Sequence, residues 1–125
     1  MRQVFVVEAV LEMAADADLR APGGVVTIAL CGSFTHDPPC PVAPHHTETT
    51  RTAAAGDQGA GDGAVLSRTV FTVEPADEGQ VRDTITAALS TGRLRDPEGT
   101  VTCWRLLHCR AGSVTAEDAG HFLDR

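Results

Sequence analysis

VLSRTVFTVEPADEGQVRDTITAALSTG, residues 65–92, changes its period halfway along. Up to residue 74 the pattern alternates. Val65, Ser67, Thr69, Phe71 and Val73 share one face, and Leu66, Arg68, Val70, Thr72 and Glu74 share the other, as in a strand. Beyond Pro75 the apolar residues are Val81, Ile85, Ala88 and Leu89, the i, i+4, i+7, i+8 stripe of an amphipathic helix. Pro75 suits a helix start, and Asp77 and Glu78 complement the dipole of the first turn. Gly92 supplies a C-terminal stop. A strand that runs straight into a helix predicts a mixed α+β chain.

Upstream, residues 3–13 alternate in the same way. Phe5, Val7, Ala9, Leu11 and Met13 form a wholly apolar core face, with Val4, Val6, Glu8, Val10 and Glu12 opposite. Residues 15–24, ADADLRAPGG, read as a connection rich in turn formers, and 25–31, VVTIALC, as a second strand. Residues 47–63 are small, polar and Gly/Asp-rich, which predicts a flexible loop. Downstream, TVTCWRLLHC at 100–109 reads as the fourth strand. Thr115, with Asp118 three residues on, resembles a capping box that opens a closing helix, which would bury Ala119, Phe122 and Leu123.

The expected order is β-β-loop-β-α-β-α. It forms one α+β domain over residues 1–125, with a four-stranded, mostly antiparallel sheet and two helices on one face. The opposite face would carry Val4, Val6, Val10, Val25 and Leu107. That is more apolar than a plain solvated face, and it predicts a homodimer or a small-molecule ligand there.

Composition removes several functional classes. A net charge of -7 and scattered arginines, with no lysine, argue against nucleic acid. Glu8 and Glu12 interrupt the N-terminal apolar run, so neither a signal peptide nor a membrane span is expected. A cytoplasmic chain follows, its thiols reduced. The Arg-only basic set, with much Ala, Gly and Asp, suggests a high-GC bacterial source.

Chemistry concentrates in CGSFTHDPPCPVAPHH, residues 31–46. It holds two of the four cysteines, three of the five histidines and four of the seven prolines. Thiolate and imidazole are the donors zinc prefers, so Cys31, His36, Cys40, His45 and His46 form a candidate zinc set, with Cys103 or Cys109 able to complete it. The spacing lacks the C-x2-C knuckle of familiar zinc modules, and the plainer expectation is cysteines that pack and histidines exposed on a loop. A His-activated Cys31 or Cys40 nucleophile is a further alternative, but no motif around either cysteine supports it. Glu8 and Glu12 share a strand face and could act as paired carboxylates; the plainer expectation is ion pairing with Arg105. The reading favoured is a small binding or interaction module whose Cys/His loop is either fixed by a metal or itself a contact. Its alternative is a small enzyme that works on a small molecule through a Cys/His loop over the open sheet face.

Overall fold

The computed structural model describes residues 3–31, 45–51 and 64–123. Its main sheet has the order β2-β3-β1-β6 and is antiparallel at every pairing. The strands are β1 (Gln3–Glu12), β2 (His45–Arg51), β3 (Ala64–Val73) and β6 (Arg105–Ala111). Helix α1 (Ala21–Cys31) lies in the connection from β1 to β2, α2 (Glu78–Ser90) in that from β3 to β6, and α3 (Ala116–Leu123) follows the sheet. A two-stranded sheet of β4 (Arg93–Arg95) and β5 (Val101–Cys103) stands apart. The α+β class therefore holds. The β-α-β-β-α-β connectivity of the main sheet is the split βαβ, ferredoxin-like arrangement, with β3 between β1 and β2.

Three expectations are corrected. First, residues 25–31 are helical, not a strand. An apolar run such as VVTIALC does not distinguish a strand from a buried helix. Pro22, Val26 and Leu30, four residues apart, are all buried, and Pro22 stands in the first helical turn, where a missing N–H costs nothing. Gly23 lets this helix approach the sheet, because a Cβ there would lie 3.2 Å from the Cβ of Thr47. Second, the segment expected to be loop from residue 47 begins as strand β2, whose alternating Thr residues suit a pleated surface. Residues 52–63 lie outside those described. Third, the expected fourth strand is interrupted at Trp104. Its backbone N–H donates to the Gly92 carbonyl at 2.9 Å, and its indole N–H donates to the Leu89 carbonyl at 2.9 Å. The chain therefore leaves the small sheet at Trp104 and enters the main one.

The core gathers Val7, Ala9 and Leu11 of β1, Val65, Phe71 and Val73 of β3, Val26 and Leu30 of α1, and Val81, Ile85 and Leu89 of α2. The stripe expected on α2 matches its buried set, Val81, Ile85, Ala88 and Leu89. Gly92 has φ of 73°, and a Cβ there would come within 2.8 Å of the Trp104 carbonyl oxygen. Only glycine accommodates both demands cheaply.

Helix α3 meets the sheet through the other set of alternating residues. Its Asp118 binds Arg68, which pairs across the strands with Glu8. Those residues face away from Phe71 and Val7, so the contact does not support placing the closing helix beside α2. The lead-in to α3 passes close to the sheet. Gly112 donates its N–H to the Val6 carbonyl at 2.9 Å, and a Cβ there would lie 2.7 Å from side-chain atoms of Val6 and Glu8. Val6 and Val70 are both buried, so this face is less open than its valines suggest.

Candidate site along the outer edge of strand β2

The candidate Cys/His residues that are described lie on different elements. Cys31 is the last residue of α1, and His45 and His46 open β2. His36 and Cys40 lie outside the described residues. Successive strand residues point to opposite faces, so the two imidazoles diverge. His45 Nε2 shares a hydrogen bond of 3.0 Å with Thr27 Oγ1 on α1. His46 instead borders a cavity of about 110 Å³ with Glu48, Arg68, Val70, Glu117 and Asp118 on the other face. Cys103 is an exposed thiol on β5, while Cys109 is half-buried on β6, its Sγ 3.4 Å from Thr86 Oγ1. No group of three metal-binding side chains occurs among the described residues.

A larger opening lies against β2. It has a volume of about 490 Å³, and α1 with its lead-in supplies one wall through Leu19, Arg20, Gly23 and Thr27. Five consecutive residues of β2, His45 to Thr49, line the rest. Consecutive residues alternate between faces, so a cleft bordered by all five has the backbone edge of the strand as its floor. β2 is the terminal strand of its sheet among the described residues. No strand among the described residues pairs with its outer side, and such an edge is where a further strand can add.

The edge strand is held firmly on its inner side. Thr47 Oγ1 and Thr69 Oγ1 lie 2.9 Å apart in a cross-strand hydrogen bond. At the far end Arg51 donates to the carbonyls of Ala14 and Ala15 at 2.8 and 2.9 Å. At the mouth of the cleft Arg20 donates to both carboxylate oxygens of Asp18, at 3.0 and 3.1 Å, and this holds the Asp18 carboxyl below its ordinary range. The pair is exposed and contributes orientation more than stability.

On the other face Arg68 sits at the centre of a charge network. Its Nη1 donates to Asp118 Oδ1 at 2.7 Å and its Nη2 to Asp118 Oδ2 at 2.5 Å, with a further bond of 2.7 Å to the Ser113 carbonyl. Glu8 lies 3.6 Å from Arg68 and 3.2 Å from Arg110. The capping box forms as expected: Thr115 donates its N–H to Asp118, and Asp118 donates its N–H to the Thr115 hydroxyl. The Arg68 guanidinium beside it, with these backbone and hydroxyl donors, holds the Asp118 carboxyl far below the usual carboxylate range. Glu12 pairs with Arg105 at 3.2 Å. Glu8 and Glu12 are thus engaged by arginines, as ion pairs on a strand face.

Reading residues 31–46 for metal ligands put His45 and His46 at the site but missed Gly23, Thr27, Thr47, Glu48 and Thr49. The available signal was the alternation of β-branched residues continuing past His46. Compared with family models, curated proteins and solved structures, the chain matches none. Among the described residues no helix is long and apolar enough to cross a membrane.

Proposed function

We propose that the protein is a non-enzymatic interaction module that takes an extended polypeptide segment against the outer edge of β2. The observation that carries this reading is the cleft itself, with five consecutive strand residues on one side and a helix on the other. A strand edge beside a helix wall is the geometry of β-augmentation, in which backbone hydrogen bonds give affinity and alternate side chains give specificity. Selection of a random displayed peptide library on the purified protein tests it. Selected peptides are expected to shift backbone amide resonances of His45–Thr49 and of Gly23 and Thr27. A library that yields no binder, or binders that perturb another surface, would remove the proposal.

A zinc ion fits the same reading as a fastening at one end of the cleft. Cys31 stands four residues, about one helical turn, beyond Thr27, and Thr27 holds His45. The candidate donor set read from the sequence, Cys31, His36, Cys40 and His45, would hold it. Such a metal would add to folding stability. Purified protein is then expected to contain about one zinc per chain, and chelation should lower its melting temperature. Metal-free protein whose melting is unchanged by added zinc would leave these cysteines as packing residues.

A further inference from the structure

We propose that a second cleft, between the start of α1 and the β4–β5 hairpin, binds a small organic cation, an ammonium group on an apolar body. This site is separate from the strand-addition cleft, with which it shares only Arg20 among its lining residues.

The second cleft has a volume of about 380 Å³, within the range of small-molecule sites. Ala21 and Gly24 of α1 line one side, and Leu94 and Thr102 of the hairpin line the other. Leu94 and Thr102 are direct cross-strand partners and so share a face. The same alternation puts Arg93 and Arg95 on the opposite face of the hairpin. Ala21 and Leu94 are buried and give the cleft an apolar floor, which Pro97 extends. The two hydrogen bonds of Trp104 fasten the hairpin at the end of α2, so this wall is formed before a ligand arrives.

Its rim is acidic. Asp18, Asp96 and Glu98 line it with a single guanidinium, that of Arg20, which is already engaged by both Asp18 oxygens. Hydrogen bonding to Asp18 and the charges of Asp96 and Glu98 push the Arg20 guanidinium above its ordinary value, so the three carboxylates act in one field. The rim nevertheless keeps more negative than positive charge. Asp96 is fixed in its turn, where its Oδ1 accepts the N–H groups of Glu98 at 3.0 Å and Thr100 at 2.9 Å. Its Oδ2 makes no hydrogen bond among the described residues. An apolar floor below an acidic rim complements a cation on an apolar body. An anion would meet like charges there, and a neutral apolar molecule would leave the carboxylates unused. The net charge of -7 draws ligands of the same positive sign.

Titration of the protein with phenethylamine, followed through its backbone amide resonances, tests the proposal. 2-Phenylethanol and 3-phenylpropionate serve as neutral and anionic counterparts. The amine is expected to shift Ala21, Gly24, Leu94, Glu98 and Thr102 saturably, to bind about fivefold more tightly than the alcohol, and to weaken with added salt. Glu98→Gln should reduce that preference, and Glu98→Gln/Asp96→Asn should abolish it while binding of the alcohol stays unchanged. Glu98 is exposed, and asparagine at 96 keeps an oxygen for the two turn N–H groups. Circular dichroism of each variant verifies that the fold is kept. Equal binding of amine and alcohol, preference for the anion, or shifts confined to other residues would each overturn the inference. Tighter binding of Nα-acetyl-lysine methylamide than of the amine would assign the cleft to a protein lysine and overturn it also. Peptide binding at His45–Thr49 reads the other cleft, so either reading can fail alone.

Discussion

Asp118→Asn is expected to destabilise the protein by about 2–3 kcal/mol, below the range for a fully buried pair because Arg68 keeps some contact with water. The substitution leaves an oxygen that can accept the Thr115 N–H but removes the charge that faces two guanidinium nitrogens. Arg68 is then left beneath α3 with Glu8 as its nearest carboxylate, 3.6 Å away. Asp118→Ala also removes the cap and should lose about 1 kcal/mol more. The pH dependence has a definite sign. The Asp118 carboxyl titrates lower in the folded chain than in the unfolded one. Its contribution is complete above the unfolded value of about 4 and is lost as pH falls below it. Urea denaturation at pH 7 and at successively lower pH should show the wild type and Asp118→Asn converging in acid. Parallel curves would mean that the charge of Asp118 is not what stabilises the fold.

Phe71→Ala should have the largest effect of any single truncation, about 3–5 kcal/mol. Phe71 is fully buried, and its ring centroid lies 5.7 Å from that of Phe5. The Arg82 guanidinium stands 5.7 Å from both centroids, while it also donates to the Val6 carbonyl at 2.8 Å and to Glu78 at 2.6 Å. Removing the ring opens a void beneath a cation held on two sides, so collapse into the space is restricted. Phe71 also pairs with His45 in the β2–β3 register. Hydrogen exchange should accordingly accelerate in β2 more than in β1, which retains β6 as a second neighbour. Phe71→Leu, which keeps much of the volume, should cost under about 1.5 kcal/mol. An alanine variant with unchanged denaturation would show that the ring is not part of the packed core.

The elements that could be read from sequence were those whose burial is one-sided. α2 shows its stripe because one flank is packed and the other solvated, and β1 shows Phe5 to Met13 as an unbroken apolar set because Glu8 and Glu12 mark its other face, although Val6 on that face is buried too. The capping box at Thr115 and Asp118 is purely local chemistry and so was visible as well. VVTIALC was not distinguishable in this way, because a short apolar run carries little periodicity and the packing of Val26 and Leu30 settles its form. Trp104 divides an otherwise continuous strand pattern through two hydrogen bonds to distant residues, Gly92 and Leu89. No local spacing contains that information. For the candidate site, the two histidines were visible as residue types. Their divergence required β2 to be a strand, and the cleft required α1 to be a helix beside a sheet edge. Both depended on tertiary context.

The position of Trp104 also makes the molecule its own optical gauge. The chain has one tryptophan and no tyrosine, so its near-ultraviolet emission comes almost entirely from this indole. The ring is 7% exposed, and its N–H is bound to a carbonyl in the last turn of α2. Fluorescence therefore reports whether the β4–β5 hairpin is seated on α2. It says little about whether the main sheet is assembled. A red shift that precedes the loss of sheet circular dichroism would mark the hairpin as the first part of the molecule to detach.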